Sequence, residues 1–493
     1  MRLYKKEGNT LQILSFPNDN IEKGDYLIIE DSRVNKKLIT QVIDVQFANV
    51  PGLLEELLRD STTEDCVYGE DFDPLKVSSH INHIQDAWML LCKIRGTLEN
   101  EKPSVNVSWL PSRSKSGIER FSITSLLAQI DNGRNLPIHI GETKEKSPFT
   151  INAHDLDGTL NIVTGKKGTG KSHLSKLLVL GLIDYGATVI VLDLNGEYTN
   201  LGFSQNGEKN VYHDKVHVLT PGANLKVSLA QLDLRVMLNI LVHALHLPGA
   251  STREFRRIWQ FLNQRRASTL RELGEAIKSW KCNQHVRDAL FSRYNSLLNS
   301  GFFTDIATEA VTFEEFFGET RKGGALILNL QDVSSVDRQI VVEYTLGKLV
   351  ELLGQWKIRA VFLFAEEAHL YLRETYWDDI VTRMRHFGVF TTFVTNQPDT
   401  IRENIYRQAD NIFLLNFTNE RDLETVSRAA RVDSETVKSI AHDLPHHHCL
   451  VLGKTVKDFP MVVKVRAYDV QTMGQTRLFF TSRDYARAEP QLR

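Results

Sequence analysis

Eight consecutive residues, Gly165-Lys-Lys-Gly-Thr-Gly-Lys-Ser172, satisfy every fixed position of G-x-x-x-x-G-K-[ST]. They stand between an apolar run, Leu160 to Thr164, and a run with helical spacing, Leu174 to Tyr185. Glycines at those places let the backbone curl until several N–H groups point at one anion, and a triphosphate suits such a concavity. In that reading Gly165, Lys167, Gly168, Thr169, Gly170 and His173 line the nucleotide. Lys171 brings a mobile positive charge to the β- and γ-phosphate oxygens, and the Ser172 hydroxyl ligates a metal ion at the first helical turn. The expected cofactors are ATP and Mg2+.

A second chemical motif, Ala360-Val-Phe-Leu-Phe-Ala-Glu-Glu-Ala-His369, is an apolar strand that ends in adjacent carboxylates. Successive strand residues point to opposite sides, so one carboxylate reaches the Mg2+ shell while its neighbour faces the γ-phosphate. Glu366 is assigned to the metal, through water, and Glu367 to polarising the attacking water. Asp193-Leu-Asn-Gly-Glu-Tyr198 closes another strand on the same catalytic edge. There Glu197 either orients water or Glu367, or serves only the turn that Asn195 and Gly196 build.

Composition sets the frame for these sites. The chain has 493 residues, 42% of them hydrophobic and 24% charged, with a formal net charge of −2. Such a charge does not coat nucleic acid wholesale, although it leaves room for a local basic surface. No stretch reaches the ~18 uninterrupted apolar residues of a membrane span, and the N-terminal residues lack the apolar segment of a signal peptide. The expectation is a cytoplasmic protein with no membrane partner. Cys66, Cys92, Cys282 and Cys449 are scattered without a CxxC pair, so neither a disulfide framework nor a zinc site is expected. His446-His-His448 lacks a completing ligand set and reads as structural.

The elements that position the motifs fall into three parts. Residues 1–145 carry short β-type runs (Leu11–Leu14, Asp25–Ile29, Leu38–Val45, Val105–Trp109) separated by turn residues, the pattern of a small β-barrel. A mostly helical, acidic stretch interrupts them at about 51–100, where Glu64, Asp65, Glu70, Asp71 and Asp73 read as a solvated loop. A linker near Gly141 to Ala153 follows. From 146 to 470 strands and helices alternate, with strands expected at 160–164, 188–194, 216–219, 325–330, 360–365 and 389–395. Alternation of this kind gives an α/β fold with a mainly parallel sheet, whose ligands bind at the carboxyl ends of the strands. A helical insertion at about 229–301 breaks the pattern. In it Arg253, Arg256, Arg257, Arg265 and Arg266 interleave with Phe255, Trp259 and Phe261; a solvated amphipathic face is the expected reading, with contact to nucleic-acid phosphate as the alternative. Short strands at Cys449–Leu452, Met461–Val465 and Leu478–Phe480 lead into an extension at 471–493.

Taken in order, the phosphate loop, Asp193 to Tyr198, Glu366 to His369, Arg385-His-Phe-Gly388 and Val394-Thr-Asn-Gln-Pro398 resemble the HerA branch of the HerA/FtsK ring ATPases. The likeness covers roughly residues 145 to 470, and the N-terminal part is similar to the family's small barrel. It implies a RecA-like P-loop NTPase core and a homo-hexamer with nucleotide between subunits. A neighbour's arginine, Arg385 by position with Arg383 and Arg421 as alternatives, would offset charge on the γ-phosphoryl group. Where the family has glutamine, arginine and proline, this chain has Asn396, Gln397 and Pro398, so either amide can serve as the γ-phosphate sensor. Implied too are double-stranded DNA as substrate and a nuclease or effector docked on the N-terminal barrel, in DNA-end processing or antiviral defence. The alternative is a hexameric assembly platform that uses nucleotide binding to regulate a bound enzyme.

Overall fold

The computed structural model describes residues 1–34, 36–48, 87–99, 102–104, 109–122, 136–266, 268–319, 322–370, 385–417, 419–430 and 432–471. By spatial contact the chain forms two compact units, Met1–Lys171 with Asn396–Arg466, and Ser172–Thr395 with Ala467–Arg493. Among the described residues no helix is long and apolar enough to cross a membrane.

The first unit begins with an antiparallel sheet of β1 (Arg2–Glu7), β2 (Thr10–Ser15), β3 (Tyr26–Asp31), β4 (Lys36–Phe47), β5 (Trp88–Glu99), β6 (Lys102–Ser104) and β7 (Ser116–Phe121). The strand order is β1-β2-β5-β4-β3-β7, with β6 on β5. Alternating side chains bury Leu11, Ile13, Leu27, Ile29, Leu38 and Leu90 in one apolar core. Register shifts between Ile39 and Thr40 and between Val42 and Asp44 bend the long β4–β5 ladder, as bulges do. The expected helical stretch to Asn100 is corrected here, because β5 is a strand. Leu90, Cys92 and Ile94 face the core while Met89 and Lys93 are also buried, so the period of two was hidden in an apolar run. Residues 49–86, with the acidic positions 64 to 73 and Cys66, lie outside the described residues, as do 105–108 of the expected strand at Val105.

The segment read as a linker is a hairpin, β8 (Pro137–Glu142) with β9 (Pro148–Asn152). A Cβ at Gly141 would run into the carbonyl of Lys464, so glycine permits the close backbone approach at this edge. β10 (Asn161–Thr164), buried at every position, then leads into the phosphate loop.

The second unit opens with α1 (Lys171–Asp184), the helix that the loop starts. Its strands β11 (Thr188–Asp193), β12 (Val216–Leu219), β13 (Gly324–Asn329), β14 (Val361–Ala365) and β15 (Val389–Thr395) run parallel in the order β12-β13-β11-β14-β15. β11 and β13 are near-continuous apolar runs, as strands covered on both faces require. Between β12 and β13 stand α2 (Leu234–Asn239), α3 (Gly249–Gln264), α4 (Leu270–Ser279) and α5 (Gln284–Asn299), the insertion expected from the sequence. α6 (Ser335–Gly354), capped by Ser334 on the Asp337 N–H at 3.2 Å, is buried along most of its length.

The chain then returns to the first unit. There β16 (Asn411–Leu414) pairs parallel with β10, and β17 (His448–Gly453) and β18 (Met461–Val465) extend it antiparallel to β8. The expected strand at Leu478–Phe480 lies outside the described residues.

Candidate active site

In the phosphate loop each glycine has a separate geometric reason. A Cβ on Gly165 would sit 2.7 Å from the Leu415 Cβ and 2.9 Å from the Thr169 hydroxyl. Gly168 (φ +81°) and Gly170 (φ +108°) take backbone conformations that L side chains seldom adopt, and a Cβ on Gly168 would meet nothing within 4 Å. The turn is closed from within. The Thr169 hydroxyl donates to the Lys166 carbonyl at 2.7 Å, Lys171 Nζ donates to that carbonyl at 3.1 Å, and the Lys166 N–H donates to the Asn416 carbonyl at 2.9 Å. Lys171 and Thr169 are buried, whereas Lys166, Lys167 and Gly168 are exposed. Ser172 and His173 are half-buried in the first turn of α1, and the His173 ring stacks on Tyr468 with centroids 4.2 Å apart.

The second unit gathers four carboxylates at the carboxyl ends of β11 and β14. Asp193 accepts the N–H groups of Glu197 at 3.0 Å and Tyr198 at 2.8 Å, which fixes the turn after β11. That turn aims the Tyr198 hydroxyl at Glu366, to which it donates a hydrogen bond. Glu366 is only 3% exposed. Burial pushes its pKa up to about 8; the charges of Glu197, Asp193 and Glu367 add to the rise, and the Tyr198 hydrogen bond opposes it. Burial raises Asp193 too, against its two N–H donors. Beneath them lies Lys176, 2% exposed, with Nζ 3.7 Å from Glu197 Oε2 and 5.3 Å from the Tyr198 ring centroid. Its pKa is lowered by burial, with the surrounding carboxylates opposing.

Glu367 differs from its neighbour. Its φ is +49°, a left-handed conformation that costs a residue with a Cβ about 1–2 kcal/mol. Its Oε2 is buried without a hydrogen bond. The Nδ1 of buried His369 lies 3.4 Å from that oxygen and 3.2 Å from the Thr395 hydroxyl. The positive φ and the buried oxygen without a hydrogen bond set Glu367 apart from Glu366.

The residues fit a nucleotide triphosphate and a hard cation. The loop is a glycine cradle, and Ser172 and Glu366 offer oxygen donors of the kind Mg2+ takes beside phosphate. Among the described residues no group of three or more His, Cys, Asp or Glu is arranged as a metal shell.

Of the remaining expected residues, Asn396 follows β15, is half-buried and has a buried Oδ1 without a hydrogen bond. Gln397 is exposed, and its carbonyl accepts the Thr400 hydroxyl at 2.8 Å. Arg385 is exposed, as is Arg421 in the first turn of α7 (Glu420–Ala429); Arg383 lies outside the described residues. The sequence motifs by themselves give no role to Tyr198, Lys176, His369 or Thr395. The signal for Lys176 was a charge inside the apolar run Leu174 to Leu178, and Tyr198 and His369 stood within motifs already marked.

Residues 138–349 match the family model described as the central domain of the helicase HerA. The chain is similar to the DNA double-strand break repair helicase HerA of Saccharolobus solfataricus, with 20% identity over 327 residues, 62% of this chain and 64% of that protein. It is 21% identical over 475 residues to the protein of that name in Sulfolobus acidocaldarius, covering 92% and 90% of the two chains. In fold it is similar to VirB4 of Thermoanaerobacter pseudethanolicus, with a TM-score of 0.51 and 14% identity over 69% of this chain and 98% of the other.

Proposed function

We propose, for a chain whose residues 138–349 make it a HerA-type ATPase, that ATP hydrolysis drives a homo-hexameric motor along double-stranded DNA. A nuclease or other effector protein docks on its N-terminal domain, and the assembly serves DNA-end processing or antiviral defence. In this reading residues 1–145 receive the partner, 146–470 are the motor and 471–493 an extension. The relatives named as DNA double-strand break repair helicases support the DNA half of the reading.

The hydrolytic half rests on Glu367, held in strained backbone with a buried Oε2 that accepts no hydrogen bond and lies 3.4 Å from His369 Nδ1. The loop Gly165 to Ser172 would hold the phosphates with Lys171 offsetting their charge, and Ser172 and Glu366 would hold Mg2+, which would supply further neutralisation of phosphate charge. Water adds its oxygen to the γ-phosphorus as the bond to the β–γ bridging oxygen breaks, ADP leaves, and the water proton passes to Glu367. Asn396 or Gln397 reads the γ-phosphate, and Arg385 of a neighbouring copy offsets the charge that develops. Glu197 steadies the site through Lys176.

The test is ATP turnover with and without linear double-stranded DNA, for the wild type and Glu367→Gln, on material of measured solution mass. The expected result is a hexamer whose turnover rises with DNA and disappears in the variant. Turnover indifferent to DNA but responsive to the product of a neighbouring gene would replace the motor with the assembly platform.

A further inference from the structure

Charge is distributed unevenly along this chain. Residues 249–299, which include α3, α4 and α5, hold ten arginines and lysines against four carboxylates, an excess of six. The whole chain is at −2, so the remaining residues stand at −8. The excess is concentrated on one face of α3. Phe255, Ile258, Trp259 and Leu262 are buried and anchor the helix, while Arg253, Arg256, Arg257, Arg265 and Arg266 are all exposed at its surface and C-terminal end. The one carboxylate of α3, Glu254, engages only Arg257 among these five arginines. It accepts the Trp280 indole N–H at 3.0 Å and Arg257 at 2.9 Å.

Two further observations separate this face from an ordinary solvated one. The side chains of Arg253, Arg256 and Arg266 make no hydrogen bond or ion pair among the described residues, unlike Arg287 and Arg293 of α5, which donate to backbone carbonyls of the same bundle. Arg265 lies with its guanidinium 4.1 Å from the Phe261 ring centroid, which holds a cation in place at the helix end. Exposed arginines whose donor forks meet no carboxylate, as at Arg253, Arg256 and Arg266, match phosphate oxygens. From residue 253 to the helix end at 264 the axis runs about 16 Å, roughly five base pairs of duplex at ~3.4 Å each.

We infer that the exposed face of α3 is a contact surface for the phosphate backbone of double-stranded DNA, independent of sequence. The inference rests on the proposed DNA function and gives it a location outside the nucleotide site. Contacts of this kind steer and hold the duplex without reading bases.

The experiment compares the full chain with a triple variant, Arg253→Gln, Arg256→Gln and Arg266→Gln. Fluorescence anisotropy follows binding of a fluorescein-labelled linear duplex from about 50 to 200 mM salt. Losing three phosphate contacts should flatten the slope of log affinity against log salt by about 2 to 3 and weaken binding by at least about tenfold at the lower salt. DNA-independent ATP turnover should stay unchanged, which reports an intact fold, and the corresponding triple lysine variant should keep most of the slope. Equal slopes for wild type and the glutamine variant overturn the surface while leaving the DNA function standing. A wild type that binds no duplex at any salt overturns both.

Discussion

The phosphate loop and the carboxylate cluster solve opposite problems. In the loop, the proposed function resides in backbone: Gly168 and Gly170 supply left-handed conformations, and Lys166 and Lys167 are exposed. In the cluster, function resides in side chains removed from water: Glu366 and Lys176 are 3% and 2% exposed and are held by Tyr198 and Glu197. An open loop can bind an anion with little help from the rest of the molecule. A buried cluster of like charges persists only when packing, a cation and hydrogen bonds compensate its desolvation. The comparison assigns binding to the first region and chemistry to the second.

The largest expected effects test that division. Lys171→Ala removes the charge proposed to meet the β- and γ-phosphates, so both nucleotide binding and turnover should be lost. Glu367→Gln keeps the shape but not the basicity of the side chain. Binding of a fluorescent ATP analogue should remain near the wild-type level while turnover falls by about 10²- to 10⁴-fold. If Glu367→Gln failed to bind nucleotide, the two regions would not be separable in this way.

Sealing of the cluster has a signature in pH. Glu366 has an ordinary pKa of 4.5 and is pushed up to about 8 in the fold, chiefly by burial. Between those values the folded protein holds a proton that the unfolded chain lacks, so unfolding free energy falls as pH rises. The contribution is complete below about 4.5 and gone above about 8, and amounts to at most a few kcal/mol. Lys176, pushed down from 10.5, gives the opposite slope only between its lowered value and 10.5. Thermal melting of the nucleotide-free protein should show a decline from about pH 5 to 8 that Glu366→Gln flattens. Identical profiles would mean the carboxylate is solvated and the contrast between the regions is false.

The loop has a subtler probe in Gly165→Ala. The added methyl group would meet Leu415 and Thr169 at 2.7 and 2.9 Å, so the start of the cradle must shift. The expectation is a KM for ATP raised about tenfold, near 1.4 kcal/mol, with kcat almost unchanged. A fall in kcat at constant KM would place part of the chemistry in the loop.

What the sequence disclosed follows the same divide. The loop was legible because its requirements are local: glycine spacing, a lysine and a serine, between an apolar run and a helical one. The parallel strands β11, β13, β14 and β15 were legible for a similar reason, each a short apolar run that stops at polar residues. β5 was misread because burial on both faces erased its alternation, and the hairpin β8–β9 because its pairing with distant β18 leaves little local trace. The support of Glu366 was invisible for a nonlocal reason. Tyr198 lies 168 residues away along the chain, and only the fold brings its hydroxyl to the carboxylate.

That hydroxyl provides the smallest test. Tyr198→Phe keeps the ring, which is fully buried and lies 5.3 Å from Lys176 Nζ, so the packing and the cation–ring contact should survive. Only one donor to a buried carboxylate is removed. A hydrogen bond of this kind contributes about 1–3 kcal/mol, and the loss should appear as weaker hydrogen-exchange protection of the β11 and β14 amides rather than as global unfolding. Nucleotide affinity should not change, because the loop does not depend on the tyrosine. Turnover should fall less than in Glu367→Gln, since Glu366 is displaced rather than deleted. If Tyr198→Phe weakened nucleotide binding as much as Gly165→Ala does, the cluster would be part of the binding surface, and the assignment of binding to one region and chemistry to the other would have to be abandoned.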